Sequence, residues 1–240
     1  MKKLINDLYD YESMKIYQYE EGFKFSLDSI LLAESVIIHK NDKNILDLCT
    51  GNAVIPLVLS TKTNLPINGI EIQKEIFELA TDSINYNNKQ NQIYVINDNI
   101  KEAKSYFPGN NFDIITCNPP YFKFHHPDFL NQSDLKQIAR HEVSITLKEM
   151  IDVASHLLKN KGNFYLVHIP ERFQEILILL EEYNLSVKDV YFVYPKQGKD
   201  AVLVLIRSLK LGRNGLKVHE PIYLNKIKTY KGLFQGGEKK

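Results

Sequence analysis

The chain has 240 residues, of which 44% are hydrophobic and 25% charged, a balance typical of a globular protein with a sizeable core. It carries no apolar run of membrane-spanning length, and its first residues are too polar for a secretory signal, so we expect a cytoplasmic protein without a membrane partner. Its two cysteines, Cys49 and Cys117, are too few for a disulfide framework or a four-ligand zinc site, which argues against redox and zinc chemistry.

The net charge of +1 conceals a gradient along the chain. Residues 207–240 contain nine Lys and Arg against two Glu, which gives this stretch +7 and, from the total of +1, leaves −6 on the first 206 residues. A segregated basic segment can neutralise the phosphates of a nucleic acid, although a solvated terminus would have the same composition. We divide the chain into an N-terminal extension at residues 1–22, a main domain at residues 23–210 and a basic C-terminal tail at residues 211–240.

The main domain is predicted to begin with a helix. The extension before it is polar and rich in tyrosine, with one short strand predicted at residues 15–19. Apolar residues at helical spacing then begin after Ser26 or Asp28, both good N-cap residues, and continue to residue 38. The free amides of a helix N-terminus and a nearby carboxylate can contact a ligand, although a capped helix does not require one.

Residues 44–59 read as a short apolar strand, a turn around Gly51 and an apolar helix, which is the opening of a nucleotide-binding βαβ unit. A second strand ends in Glu71, about 20 residues after the turn, where folds of this kind hold a ribose hydroxyl. The turn at Gly51 and the acidic residue Glu71, at this spacing, together predict a cofactor that contains adenosine.

Two more strands, at residues 93–96 and 112–117, also end in polar residues. With the intervening helices they predict a parallel, doubly wound sheet with a ligand crevice along its carboxyl edge. Four polar side chains are therefore expected on one rim, namely Asp47, Glu71, Asp98 and Asn118.

The second half of the chain is predicted to complete the sheet. Helices are expected at residues 144–159 and 173–183, a strand at 163–169, and an antiparallel hairpin formed by strands 187–194 and 200–208. Residues 122–142 show no periodicity and predict a long loop. The adjacent His125 and His126 in this loop have no spaced Cys or acidic partners, so we expect no metal site there.

The tetrapeptide Asn118-Pro119-Pro120-Tyr121 directly follows the strand at 112–117. Asparagine supplies an acceptor oxygen, while two prolines lack backbone donors and leave carbonyls that can only accept. Acceptors without competing donors, next to the flat ring of Tyr121, suit a planar group that bears an NH2, such as a nucleobase or a carboxamide. The alternative is a strand that two prolines terminate, with a tyrosine that packs.

Together these features resemble a class I S-adenosyl-L-methionine-dependent methyltransferase, and the tetrapeptide resembles the amino-methyltransferase motif of that superfamily. Five segments are similar, more narrowly, to the bacterial tRNA1(Val) adenine-N6-methyltransferase family, and the resemblance covers residues 14 to 224. These segments are Phe25–Leu32, Asp47–Asn52, Asn118–Lys123, Ala139–Glu142 and Tyr194–Lys199. The resemblance implies a Rossmann-like α/β fold with a mostly parallel seven-stranded sheet and an antiparallel C-terminal hairpin.

The resemblance also implies residue roles. The residues implied to bind S-adenosyl-L-methionine are Ser26, Asp28, Asp47, Thr50, Gly51, Asn52, Glu71, Ile72, Asp98, Asn99 and Asn118. Asn118 and the carbonyl of Pro119 would accept from the target amine, and Tyr121, after Pro120, would stack on its base. The residues implied to contact the RNA are Lys123, Arg140, His141, Lys196 and Lys199. One position departs from the family, because Ala53 stands where a second glycine is usual; if that position needs a positive φ, alanine strains it.

The implied reaction is methyl transfer to the exocyclic N6 amine of an adenine, at position 37 in the anticodon loop of tRNA1(Val). A first alternative is a glutamine N5-methyltransferase that acts on a release factor, because a carboxamide NH2 poses the same chemical problem. A second alternative is a non-catalytic RNA-binding module with a methyltransferase-like fold. The basic residues favour RNA over a peptide, and the intact Asp47, Glu71 and Asn118 favour catalysis.

Overall fold

Strands and helices alternate through most of the chain, as the apolar patterns predict. The computed structural model describes residues 2–20, 27–120 and 145–234, and within them it contains eleven strands and six α-helices. The strands are β1 Lys3–Leu8, β2 Tyr11–Tyr19, β3 Ile45–Leu48, β4 Ile67–Glu71, β5 Ile93–Asn97, β6 Phe112–Cys117, β7 Leu158–His168, β8 Leu185–Tyr194, β9 Leu203–Lys210, β10 Lys217–Val218 and β11 Ile222–Tyr223. The helices are α1 Leu27–Ser35, α2 Val54–Leu59, α3 Lys74–Tyr86, α4 Ala103–Tyr106, α5 Leu147–Leu157 and α6 Phe173–Glu182.

Strands β3 to β9 form the main sheet, in the order β8, β9, β7, β6, β3, β4, β5. Neighbouring strands from β7 to β5 are parallel, whereas β9 runs antiparallel to both β7 and β8. The prediction of a mostly parallel seven-stranded sheet with an antiparallel hairpin is confirmed, and the two-residue strands β10 and β11 extend the sheet alongside β8. Ligands bind such sheets in the crevice outside the carboxyl ends of the strands.

Apolar layers on both faces of the sheet explain why β3 is buried from Ile45 to Leu48. One layer packs α1 and α2 on the sheet and includes Ile30 and Leu57, and the other packs α5 and α6 and includes Met150. Both layers leave the carboxyl ends of the central strands uncovered. No helix in the described parts of the chain is long and apolar enough to cross a lipid bilayer.

The N-terminal extension folds as a separate antiparallel hairpin of β1 and β2 that packs against α3. The Asn87 side chain, after α3, bonds both the backbone N–H and the carbonyl of Lys15. The predicted strand at residues 15–19 is part of β2. The sequence pattern did not reveal β1, because Leu8 is its one buried side chain.

Residues 211–234, which we call the C-terminal segment, pack across the domain. Its strands β10 and β11 pair with β8, and Leu224, Ile227 and Phe234 pack against the layer that contains α1. Residues 211–234 therefore contact the domain through partly buried side chains, although many of them are exposed, and the division of the chain at residue 210 stays a prediction.

A buried carboxylate on α1 anchors the C-terminal segment. Glu34 accepts a hydrogen bond from the Tyr11 hydroxyl of the N-terminal hairpin and another, at 2.9 Å, from the backbone N–H of Gly232. Lys62 Nζ lies 3.8 Å from the same carboxylate and donates to three carbonyls at the end of α1. Glu34 therefore connects the two ends of the chain through one helix.

We predict that Glu34→Ala lowers the free energy of unfolding by about 3 kcal/mol, because it leaves Tyr11, Lys62 and the Gly232 N–H without their buried acceptor. Tyr11→Phe is the matched control, since it removes one hydrogen bond of the same cluster and should cost about 1 kcal/mol. Urea denaturation of both variants measures the difference. Equal losses in the two variants would contradict the anchoring role of Glu34.

Candidate active site

A cavity of about 490 Å³ lies at the carboxyl ends of β3, β4 and β6, where the topology predicts a ligand crevice. Its size is within the range of small-molecule sites, and its wall is mostly apolar with a few polar groups. The polar side chains that line it belong to Asp28, Ser29, Thr50, Asn52, Glu71, Gln73, Asn99 and Asn118. The cavity thus brings together residues that the sequence analysis assigned from five separate segments.

The turn after β3 forms the floor of the cavity in a strained conformation. Cys49, Gly51 and Ala53 all have positive φ, of 58°, 59° and 72°. Non-glycine residues rarely adopt this region and persist in it where surrounding contacts over-determine the backbone. The positive φ that the sequence analysis made a condition for strain is therefore present at Ala53. Ala53 is fully buried and does not line the cavity, so any strain at Ala53 affects the conformation of the turn and not a direct contact with a ligand.

The turn packs closely on β4. The Thr50 N–H donates to the carbonyl of Ile70 at 2.9 Å. A Cβ on Gly69 would lie 2.5 Å from Thr50 Oγ1, so only glycine at that position allows this approach. The turn and the end of β4 are consequently one rigid unit.

Glu71, at the end of β4, joins this turn to the start of α3. Its carboxylate accepts from the Gly51 N–H at 2.9 Å and from the Gln73 N–H at 2.8 Å. Burial raises the pKa of Glu71, and the backbone donors oppose that shift. An ionised carboxylate has about four acceptor positions, so Glu71 retains capacity for a ligand's hydroxyl groups at the cavity wall.

Asp47 lies beneath the turn and outside the cavity lining. It is fully buried and accepts from the hydroxyls of Thr50 at 2.7 Å and Thr116 at 2.6 Å. Burial raises the pKa of Asp47 to about 7, against the opposing effect of the two hydroxyls. This side chain holds β3, β6 and the turn together. It does not line the cavity, so it can affect a ligand only indirectly, by positioning Thr50.

At the far end of the cavity, Ile72, Asn99 and Ile100 form part of the wall, but Asp98 does not. Both oxygens of Asp98 are engaged, one by the Tyr106 hydroxyl at 2.5 Å and the other by the Asn99 N–H at 2.7 Å. These hydrogen bonds, that from Tyr106 first, hold the pKa of Asp98 below its usual value. The sequence analysis named Asp98 and Asn99 and missed the apolar Ile100.

The helix α1 and the strand β6 meet at the other end of the cavity. Asn118 Nδ2 donates to Ser29 Oγ at 2.9 Å, and both residues line the cavity together with Asp28, Pro119 and Pro120. Asn118 Oδ1 is buried and has no hydrogen-bond partner among the described residues. Ser29 lies in the segment Phe25–Leu32 that carries the resemblance, but the sequence analysis gave it no role. The predicted Ser26 and Tyr121 lie outside the described residues.

Four apolar side chains complete the cavity wall, from Ile145, Val202, Leu203 and Leu224. The last of them belongs to the C-terminal segment, where the sequence offered no recognisable motif. Exposed Lys196 and Lys199 lie in the turn between β8 and β9, outside the cavity lining.

The C-terminal segment runs beside that turn, because the Asn225 N–H donates to the Pro195 carbonyl at 3.2 Å. This contact brings the exposed Lys226 near the turn, with its Nζ 5.0 Å from the centre of the Tyr223 ring.

The predicted RNA contacts Lys123, Arg140 and His141 lie outside the described residues, as do His125 and His126. Across residues 2–20, 27–120 and 145–234, no group of three or more His, Cys, Asp or Glu side chains is placed to hold a metal ion. Both cysteines are free thiols, Cys49 at the cavity wall and Cys117 buried.

Comparison with known proteins shows which sequence family and which named relatives the chain is similar to. The sequence model of the Methyltransferase small domain matches residues 25–190. A Flavobacterium psychrophilum protein named tRNA1(Val) (adenine(37)-N6)-methyltransferase is 25% identical over 206 residues, with 84% of this chain and 86% of the relative covered. A Tolumonas auensis protein of the same name is 28% identical over 200 residues, covering 82% and 81%. These relatives confirm the resemblance seen in the sequence motifs.

Solved structures share the fold. A predicted O-methyltransferase from Agrobacterium tumefaciens superposes with a TM-score of 0.64 at 20% identity, covering 82% of this chain and 88% of that one. A Pyrococcus horikoshii protein, TYW2 in complex with MeSAdo, gives a TM-score of 0.58 at 15% identity, covering 83% of this chain and 69% of that one. The class I methyltransferase fold predicted from the sequence is confirmed.

We predict that Asp47→Asn changes how stability depends on pH. Because the pKa of Asp47 is raised to about 7, its contribution to stability is fully present below its unfolded pKa near 3.8 and is lost as pH rises through 7. Between pH 5 and pH 8, the variant should therefore gain about 1–3 kcal/mol of unfolding free energy relative to the wild type. Urea denaturation at the two pH values measures this change.

The control is Asp113→Asn. Its partner Lys159 and two backbone N–H groups hold the pKa of Asp113 below its usual value despite partial burial, so the carboxylate stays ionised from pH 5 to pH 8. That variant should lose the same free energy at both pH values. A pH-independent difference between Asp47→Asn and the wild type would contradict the assignment of Asp47.

Proposed function

The chain belongs to the Methyltransferase small domain family, and from this premise we propose that it transfers a methyl group from S-adenosyl-L-methionine to the exocyclic N6 amine of adenine 37 in tRNA1(Val). The observation that carries the proposal is Asn118 Oδ1, a buried acceptor without a described partner, directly before Pro119 and Pro120 at the cavity. The names of the relatives described above support the choice of tRNA.

The cavity has the groups that such a cofactor requires. Glu71 offers carboxylate oxygens to the two ribose hydroxyls, and Ile72 with Ile100 offers apolar walls to a flat adenine ring. Asp28, on the first turn of α1, offers a carboxylate to the ammonium group at the methionine end. The cofactor supplies a methyl group on a positively charged sulfur, from which an amine nitrogen can take it.

The protein's task at the target base is to make a poor nucleophile reactive. The lone pair of an adenine amine is delocalised into the ring, and acceptors on both N–H groups favour a more tetrahedral nitrogen. Asn118 Oδ1 and the Pro119 carbonyl are the two acceptors, and their fixed positions supply orientation as well as electrostatic stabilisation. The proton can leave to water after transfer.

An RNA substrate suits the surface beside the cavity. The target base must leave its stack, which costs a few kcal/mol, and a loop presents bases that are already partly unstacked. Lys196, Lys199 and Lys226 are exposed on two adjoining segments near Leu203 and Leu224 of the cavity wall. Cations in this place can neutralise the phosphates on either side of the base.

The glutamine N5-methyltransferase reading shares the Asn118 chemistry, because a carboxamide also presents an NH2. It gives no reason for exposed lysines beside the cavity. A non-catalytic RNA-binding module would have no need of an unpaired acceptor in the tetrapeptide. The RNA methyltransferase reading accounts for both features.

We predict that Asn118→Ala lowers the turnover of methyl transfer by about 100-fold or more, because it removes one of two acceptors on the target amine. Calorimetric titration with S-adenosylhomocysteine should show cofactor affinity within a few-fold of the wild type. Asn91→Ala is the control, since Asn91 is exposed at the amino end of β5, on the opposite edge of the sheet. Turnover of Asn118→Ala close to that of the control would refute the acceptor role.

We predict that the double variant Lys196→Ala, Lys199→Ala weakens tRNA binding and reduces the slope of log affinity against log salt by about 1.5, as expected for two lost phosphate contacts. The control is Lys40→Ala, Lys43→Ala, which removes the same charge from exposed residues before β3, away from the cavity. Filter binding at several salt concentrations gives both slopes. Equal slopes for the two double variants would show that the turn between β8 and β9 does not contact the RNA.

A further inference from the structure

We propose that Ser29 is a positioning residue for the amine-methylating site, in which its hydroxyl holds the Asn118 side-chain amide with the oxygen free to accept from the target amine. This inference rests on the proposed function and adds a residue to it. The two residues are 89 positions apart in the sequence and meet only in the fold, where Asn118 Nδ2 lies 2.9 Å from Ser29 Oγ.

The contact has a direction. The amide nitrogen donates and the serine oxygen accepts, so one end of the amide is bonded to α1. The other end, Oδ1, is buried and has no hydrogen-bond partner among the residues that the structure describes. A buried acceptor without a partner costs about 1–3 kcal/mol. Such a group in a candidate active site is consistent with an acceptor kept for a substrate donor.

The nearly symmetric shape of an amide explains why it needs to be held. Its oxygen and NH2 ends occupy similar volumes, so a half-turn about the Cβ–Cγ bond exchanges an acceptor for a donor. A donor at that position cannot accept from the target amine, and two NH2 groups would face each other. In the observed orientation the Ser29 oxygen accepts from Asn118 Nδ2, and Ser29→Ala removes that hydrogen bond from the orientation that leaves Oδ1 as an acceptor.

The helix that carries Ser29 is well placed for this task. Ser29 lies in the first turn of α1, and three carbonyls at the other end of the helix accept from Lys62 Nζ at 3.0 to 3.2 Å. Ile30, Leu31 and Leu32, which follow Ser29, are fully buried. The Ser29 hydroxyl therefore has a fixed position relative to the end of β6.

The test is a double-mutant cycle on Ser29 and Asn118. Ser29→Ala should lower kcat for methyl transfer about 10-fold, with KM for S-adenosyl-L-methionine unchanged, because the lost orientation matters at the transferring amine. Ser29→Thr keeps a hydroxyl and should recover most of the rate. In the Asn118→Ala background, Ser29→Ala should have almost no further effect, since the group that it positions is gone.

Three results would overturn the role of Ser29. They are additive losses in the double variant, a loss in Ser29→Ala that Ser29→Thr does not recover, and a parallel loss of S-adenosylhomocysteine affinity in Ser29→Ala. The proposed function fails differently, by absence of transfer from the wild-type protein to unmodified tRNA. The cycle can then be measured on a glutamine peptide if the wild type methylates one, so the two failures are distinguishable.

Discussion

The Glu71 carboxylate is the interaction on which the candidate site depends. It accepts from the Gly51 N–H of the strained turn and from the Gln73 N–H before α3, and so fixes both walls of the crevice at the end of β4. Asp47 performs a similar task one layer below, through the hydroxyls of Thr50 and Thr116. Burial raises the pKa of both carboxylates, and the Glu71 charge adds to the raised pKa of Asp47.

The cavity has two chemically different ends. At one end, Glu71, Ile72 and Asn99 combine acceptors with apolar surface, as an adenosine group requires. At the other end, Asn118 and the two prolines present acceptors beside an apolar wall. The C-terminal segment contributes Leu224 to the cavity wall, and Glu34 holds the segment through Gly232. The cavity wall is thus linked, through Glu34, to contacts near both ends of the chain.

The sequence predicted those parts of the fold and site that follow from local patterns. Alternating apolar segments predict the parallel sheet, and polar residues at strand ends identify Glu71 and Asn118, because parallel strands bring their carboxyl ends to one edge. The same rule placed Asp98 and Asp47 at the cavity wall, where the structure does not have them. Asp98 is engaged by Tyr106, and Asp47 is covered by the turn; neither contact leaves a periodic signal.

What the sequence could not show depends on contacts between distant segments. Ser29 meets Asn118 only after α1 packs beside β6. The C-terminal segment looks like a solvated tail by composition, yet Gly232 and Leu224 dock through Glu34 and the apolar layer under α1. Strand β1 buries a single side chain, so its pairing with β2 and not its own pattern defines it.

The most direct test of the central claim is to identify the methylated product. The purified protein would be incubated with radiolabelled S-adenosyl-L-methionine and, in separate reactions, with unmodified tRNA and with release factor, followed by nucleoside and peptide analysis. We predict label in N6-methyladenosine from tRNA and none in the release factor. Label in glutamine of the release factor, with none in tRNA, would contradict the account.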